Sequence, residues 1–181
     1  MKHFENRPLA MKHLMFTGLL LAAMNVVGAA ETVLDFESGA LGEWMPTWEE
    51  KGVTCGLAWK PTESKAEGSL TFFPYIGTEN QGILAAMAEE PIPLEVRFPA
   101  PVAKVTATCW GHTGSAARLE AFAADGTLLD TAFVPRVPQR TDPAQRMPQF
   151  ELAVAAVGIA YVRFSGPRTG EYLAVDELRF E

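Results

Sequence analysis

Along the chain from residue 31 onward, apolar and polar residues alternate in short runs bounded by Gly, Pro, Asn and Asp, which is the pattern of half-buried strands rather than helices. The runs are Thr32–Phe36, Val53–Trp59, Ser69–Tyr75, Leu94–Phe98, Val102–Trp110, Leu119–Ala123, Thr127–Val134, Phe150–Val154, Ile159–Phe164 and Tyr172–Phe180. In the fifth, Val105, Ala107 and Cys109 fall on one face, and Thr106, Thr108 and Trp110 on the other. Asp125-Gly126 separates two runs as a tight turn. Ile83–Glu90 shows no alternation and contains good helix formers, so it reads either as a further strand, our choice, or as a short helix. The prolines, several of them in close pairs at 91/93, 99/101 and 135/138, argue against long helices and place loops between runs. Nine or ten strands at this spacing predict an all-β fold, a two-sheet antiparallel β-sandwich of jelly-roll topology.

The first thirty residues differ from the rest. A basic start at Lys12 and His13, an apolar run from Leu14 to Val27 and small residues Gly28-Ala29-Ala30 have the three parts of a secretory signal, with cleavage near Ala29 or Ala30. The run is shorter than the roughly 20 apolar residues a spanning helix needs, and no later segment resembles a membrane span. The expected layout is therefore a signal peptide over 1–30 and one sandwich domain over 31–181, exported to the periplasm or the exterior. The whole chain carries a net charge of −7, and loss of the leader removes three basic residues and one acidic one. A domain this acidic repels phosphate backbones, which excludes nucleic acid as a partner. Cys55 and Cys109 lie in predicted strands of an exported chain, where they either form a disulfide or stay as two buried thiols.

Three motifs carry a resemblance. Leu34-Asp35-Phe36-Glu37-Ser38-Gly39 with Trp44 shortly after, the strand-turn-strand Ala121–Leu128, and the closing Ala174-Val175-Asp176-Glu177-Leu178-Arg179-Phe180 look like the opening, middle and final strands of secreted jelly-roll domains of the galactose-binding-like and carbohydrate-binding-module type. The resemblance implies that the first and last strands meet at a structural calcium. Glu37 and Asp176 match the motif positions that would supply carboxylates, and Asp35 either joins them or points to solvent; calcium takes six to eight oxygen ligands. It also implies a sugar site with exposed aromatic platforms, for which Trp48, Trp59, Trp110 and Tyr75 are the candidates. Trp59 shares a face with Val53 and Leu57, which favours core packing. Trp110 lies on the polar face and precedes the loop that holds His112, so Trp110 is the preferred platform, with His112, Trp48 and Tyr75 as further ligand contacts.

Catalytic patterns are weak. His112 is the only histidine after residue 30, no nucleophile-elbow G-x-S-x-G occurs, and no Glu pair stands out for glycoside hydrolysis. Pro135–Pro148, with Arg136, Arg140 and Arg146, reads as an exposed basic connection, with contact to an anionic glycan as the other reading. The chain is thus expected to be no enzyme, but a binding module for carbohydrate or a cell-surface component. A structural or protein-interaction domain without a sugar ligand is the alternative.

Overall fold

The structure is a computed structural model that describes residues 30–59, 70–75, 81–85, 92–111, 115–138, 141–142, 145–166 and 173–181. The predicted signal segment up to residue 29, the second half of the Ile83–Glu90 run, and His112 lie outside the described residues. Among the described residues there is no helix, and none long and apolar enough to cross a membrane.

The described residues form eleven strands, in order β1 (Thr32–Leu34), β2 (Trp44–Met45), β3 (Thr47–Glu50), β4 (Val53–Leu57), β5 (Leu70–Pro74), β6 (Gln81–Ala85), β7 (Leu94–Gly111), β8 (Ala117–Phe122), β9 (Leu128–Val134), β10 (Phe150–Ser165) and β11 (Leu173–Phe180). Every ladder between them is antiparallel. β7 and β10 are long, and each belongs to two sheets. In sheet I the order is β2-β5-β6-β11-β7-β10, with β1 also paired to β11. In sheet II it is β3-β4-β7-β10-β8-β9, using the beginning of β7 and the end of β10. One hydrophobic cluster joins the two: Ile83, Val105, Cys109, Leu152, Val175 and Leu178 from sheet I meet Val53, Cys55, Val96, Leu119, Val162 and Phe164 from sheet II.

The prolines at 99 and 101 were expected to end a strand, yet β7 runs through them. The β7–β10 ladder skips from Arg97↔Tyr161 to Val102↔Ile159, so both prolines sit where no ladder bond is required of them. Opposite them β10 bulges, with Gly158 at φ +85° and Val157 fully out in solvent. Bulges of this kind let a strand turn a corner from one sheet into the other, and here they fuse pairs of predicted strands into one. β2 and β3 escaped the sequence reading. Lys51 and Gly52, at φ +51° and +76°, form a two-residue hairpin turn between β3 and β4, the mirror-image type that matches strand twist. At the predicted Asp125-Gly126 turn only Gly126 takes a positive φ, and Asp125 caps the loop by accepting the Thr127 N–H at 2.9 Å.

Candidate functional site

Two regions of the surface combine polar chemistry with a cleft. The first lies on the outer face of sheet I, where the chain leaves β1. Asp35, Glu37, Thr108, Gln149, Asp176 and Glu177 line a cleft of about 340 Å³. Asp176 is buried, and Gln149 donates to its Oδ2 at 3.0 Å. Burial, and then the neighbouring Glu37 and Glu177 carboxylates, push its pKa up to about 6. The three carboxylates chosen from sequence thus border one cleft, because β1 and β11 pair in register from Thr32↔Phe180 to Leu34↔Leu178.

Among the described residues no three acidic, His or Cys side chains converge closely enough to hold a metal ion. Several oxygens beside the cleft are engaged by Gln81: Glu37 Oε1 accepts its backbone N–H at 3.0 Å, and the Phe36 and Gly39 carbonyls accept from its carboxamide at 2.8 and 2.7 Å. A hard cation that needs six to eight oxygens is poorly served by donors already committed to N–H groups.

Beside this cleft lie several of the residues expected to serve as platforms. Trp110 does point to the outer face of sheet I, but it is only 1% exposed. It packs in a second cluster with Tyr75, Met147 and Ala174, its ring 4.9 Å from that of Tyr75. Tyr75 is buried too; its hydroxyl donates to the Met147 carbonyl, and burial pushes its phenol pKa up. The cover comes from the end of the segment read as an exposed basic connection: Met147 packs with Trp110 and Tyr75, and Gln149, just beyond it, reaches Asp176. Trp48 is half-buried and wedged between Phe36 and Phe72, at ring distances of 5.2 and 5.7 Å. Of these rings Trp110 and Tyr75 are buried, and Trp48 keeps partial exposure. Trp59, read as core, is instead exposed, because β4 ends at Leu57 and its alternation ends there. Cys55 and Cys109 are free thiols. Cys55 pairs across from Val96 at the start of β7, whereas Cys109 lies near the end of β7 opposite Phe150 and Val175. Burial pushes the Cys55 thiol up to about 12 and raises that of Cys109 as well.

The second region is the outer face of sheet II, and the sequence reading did not find it. Register places two rows side by side: Thr54, Arg97, Tyr161 and Phe122 in one, Gly56, Glu95, Arg163, Glu120 and Thr131 in the next. Glu95 is buried although it points outward. It accepts from Arg97 at 2.6 Å and from Arg163 at 2.8 Å. These guanidiniums lie over the Tyr161 ring at 4.5 and 5.3 Å, and Phe122 stacks on Tyr161 at 5.0 Å. The carboxylate thus holds two cations over aromatic faces, a rigid arrangement that leaves little side-chain entropy to lose on binding.

A third row, Ser165, Arg118 and Phe133, closes this face. Phe133 is 53% exposed, with the Arg118 guanidinium 5.5 Å from its ring centre. Together with Ala116, Ala117 and Gly166 these residues line a pocket of about 330 Å³, within the size range of small-molecule sites. Arg118 also lies 3.5 Å from Glu120 and stays half exposed. The available signal was alternation itself: Phe133 falls on the polar face of β9, opposite the half-buried Ala132 and Val134. A third feature is apolar only. Leu41 and Trp44 stand out of the edge formed by β2 and β5, Trp44 being 62% exposed.

No protein-family model matches the chain, and the curated proteins contain no match. Solved structures do resemble it. The K1 cleaved adhesin domain of Lys-gingipain from Porphyromonas gingivalis W83 superposes with a TM-score of 0.51 at 14% identity, over 84% of this chain and 98% of that one. A family 6 carbohydrate-binding module gives 0.42 at 11% identity, over 83% and 92%. A module of Clostridium stercorarium, solved with cellobiose, gives 0.38 at 12%, over 83% and 92%. This chain is an all-β sandwich of the kind seen in the adhesin domain, and that likeness is one of fold.

Proposed function

We propose that this chain is an exported, non-catalytic module that binds carbohydrate, and that the sugar sits in the pocket bounded by Phe133, Arg118 and Ser165. The observation that carries the reading is the half-exposed Phe133 ring with a guanidinium beside it at the mouth of a 330 Å³ pocket. A sugar ring has an apolar C–H face that packs on an aromatic, and a rim of hydroxyls that need partners. Arg118 donates to such hydroxyls, and the Ser165 hydroxyl both donates and accepts. The Glu95-centred network behind the pocket keeps the face rigid, so binding costs less ordering. Export rests on the leader-like residues 1–30.

A second reading, a protein-interaction domain, draws on Leu41 and Trp44, whose exposure marks an apolar contact surface. Affinity electrophoresis against a panel of soluble glycans separates the two. Retardation by one glycan that Phe133→Ala or Arg118→Ala weakens at least about tenfold, a loss of ~1.4 kcal/mol, with Trp44→Ala unchanged, is the expected result. Loss of retardation in Trp44→Ala alone would move the site to the β2–β5 edge. Absence of binding to every glycan would leave the protein-interaction reading in its place.

A further inference from the structure

The turn from Phe36 to Gly39 is an unfavourable piece of backbone that something must hold. Phe36 adopts φ +58°, a left-handed conformation that a bulky side chain resists, while its ring is fully buried against Trp48. Gly39 closes the turn so tightly that a Cβ there would lie 2.2 Å from the Phe72 ring. The residue holding the turn is Gln81, at the start of β6 and buried. Its carboxamide nitrogen donates to the Phe36 carbonyl at 2.8 Å and to the Gly39 carbonyl at 2.7 Å, and its backbone N–H donates to Glu37 Oε1 at 3.0 Å. Three oxygens from one turn are thereby gathered around one residue of another strand.

Drawing two carbonyls and a carboxylate together is also what a divalent cation does, from a point 2.3–2.6 Å from each oxygen for calcium. Here that point, between the two carbonyls, is taken by the Gln81 nitrogen. We propose that Gln81 replaces a structural cation in this chain, so that joining the turn to β6, and with it the stability of the fold, is independent of calcium and other divalent ions. A carboxamide suits the task, since its two N–H groups satisfy both carbonyls and add no charge.

Thermal melts of the purified chain in EDTA and in excess calcium provide the test. The wild-type transition is expected to be the same in both. Gln81→Ala removes the carboxamide donor from both carbonyls, leaving the Phe36 carbonyl only the long Gly39 N–H contact at 3.4 Å, and is expected to lower the transition by about 5 °C, again with no response to calcium beyond that of the wild type. Gln81→Glu sets a carboxylate against those carbonyls and Glu37, which repels in EDTA and forms an oxygen cage in calcium; its transition is expected to be low in EDTA and to recover with calcium. A wild-type transition that EDTA lowers or calcium raises would overturn the proposal, and so would a Gln81→Ala variant as stable as the wild type. Should Gln81→Glu fail to fold in either condition, the first two proteins still decide.

Discussion

Gly82 faces Trp110 across the outer side of sheet I, and the approach leaves no room for a methyl group. A Cβ at position 82 would lie 2.4 Å from the far edge of the indole ring and 2.8 Å from the Val175 carbonyl oxygen. Neither neighbour has an easy retreat, since Trp110 is enclosed by Tyr75 and Met147, and Val175 belongs to the ladder between β11 and β7. Overpacking of a well-filled interior costs typically 1–3 kcal/mol, and with one of the two contacts on backbone the upper part of that range applies. Gly82→Ala is therefore expected to destabilise the fold by ~3 kcal/mol, a fall of about 6–12 °C in the melting temperature of a domain this size. The contact with the indole accounts for part of that cost. In a Trp110→Phe background, where the far edge of the indole is gone, the same substitution should cost about half as much, as a double-mutant cycle by urea denaturation would measure. Equal costs in the two backgrounds would refute the reasoning, and a Gly82→Ala protein as stable as wild type would show that Trp110 is not packed against β6.

Asp176 supplies a pH dependence. Its folded pKa, about 6, is raised above the ordinary value of 3.8, so between these values the folded state holds more protons than the unfolded one, and stability falls as pH rises through the window. Melts between pH 4 and 7 should show that slope, worth at most about 3 kcal/mol, and Asp176→Asn should flatten it; a slope unchanged in the variant would assign it elsewhere. The two buried thiols should not react with a disulfide reagent in the native protein, and both should react once it is unfolded without reductant. Their absence from the unfolded, unreduced chain would mean that they are paired. Glu95→Gln removes the shared partner of Arg97 and Arg163. Because Arg97 is largely solvent-exposed, the expected loss is about 2 kcal/mol rather than that of a fully buried pair, read from the urea midpoint.

Much of the architecture follows from local pattern. Alternation marks the faces of β4, β7, β8 and β11 because one side of each strand must enter the core while the other stays polar. The closing Val175-Asp176-Glu177 and the opening Asp35-Phe36-Glu37 border one cleft since β1 and β11 are neighbours in register. What alternation cannot express is what lies above a face. Trp110 sits on the side its spacing indicates, but the 145–149 segment, remote in sequence, folds over it and turns a candidate platform into core. Conversely, Phe133 and Arg118 become a pocket wall only when β8, β9 and the end of β10 pair. Pro99, Pro101 and Gly158 look like strand ends in a linear reading. Whether they break a strand or bend it depends on whether their ladder positions are paired, and that is decided by the register of β7 against β10. The chain by itself thus determined most of the strand-forming runs, though not β2 and β3, and within those runs the side of the strand that each residue takes. Exposure and the convergence of distant groups were decided by tertiary packing, because both depend on contacts between residues far apart in the sequence.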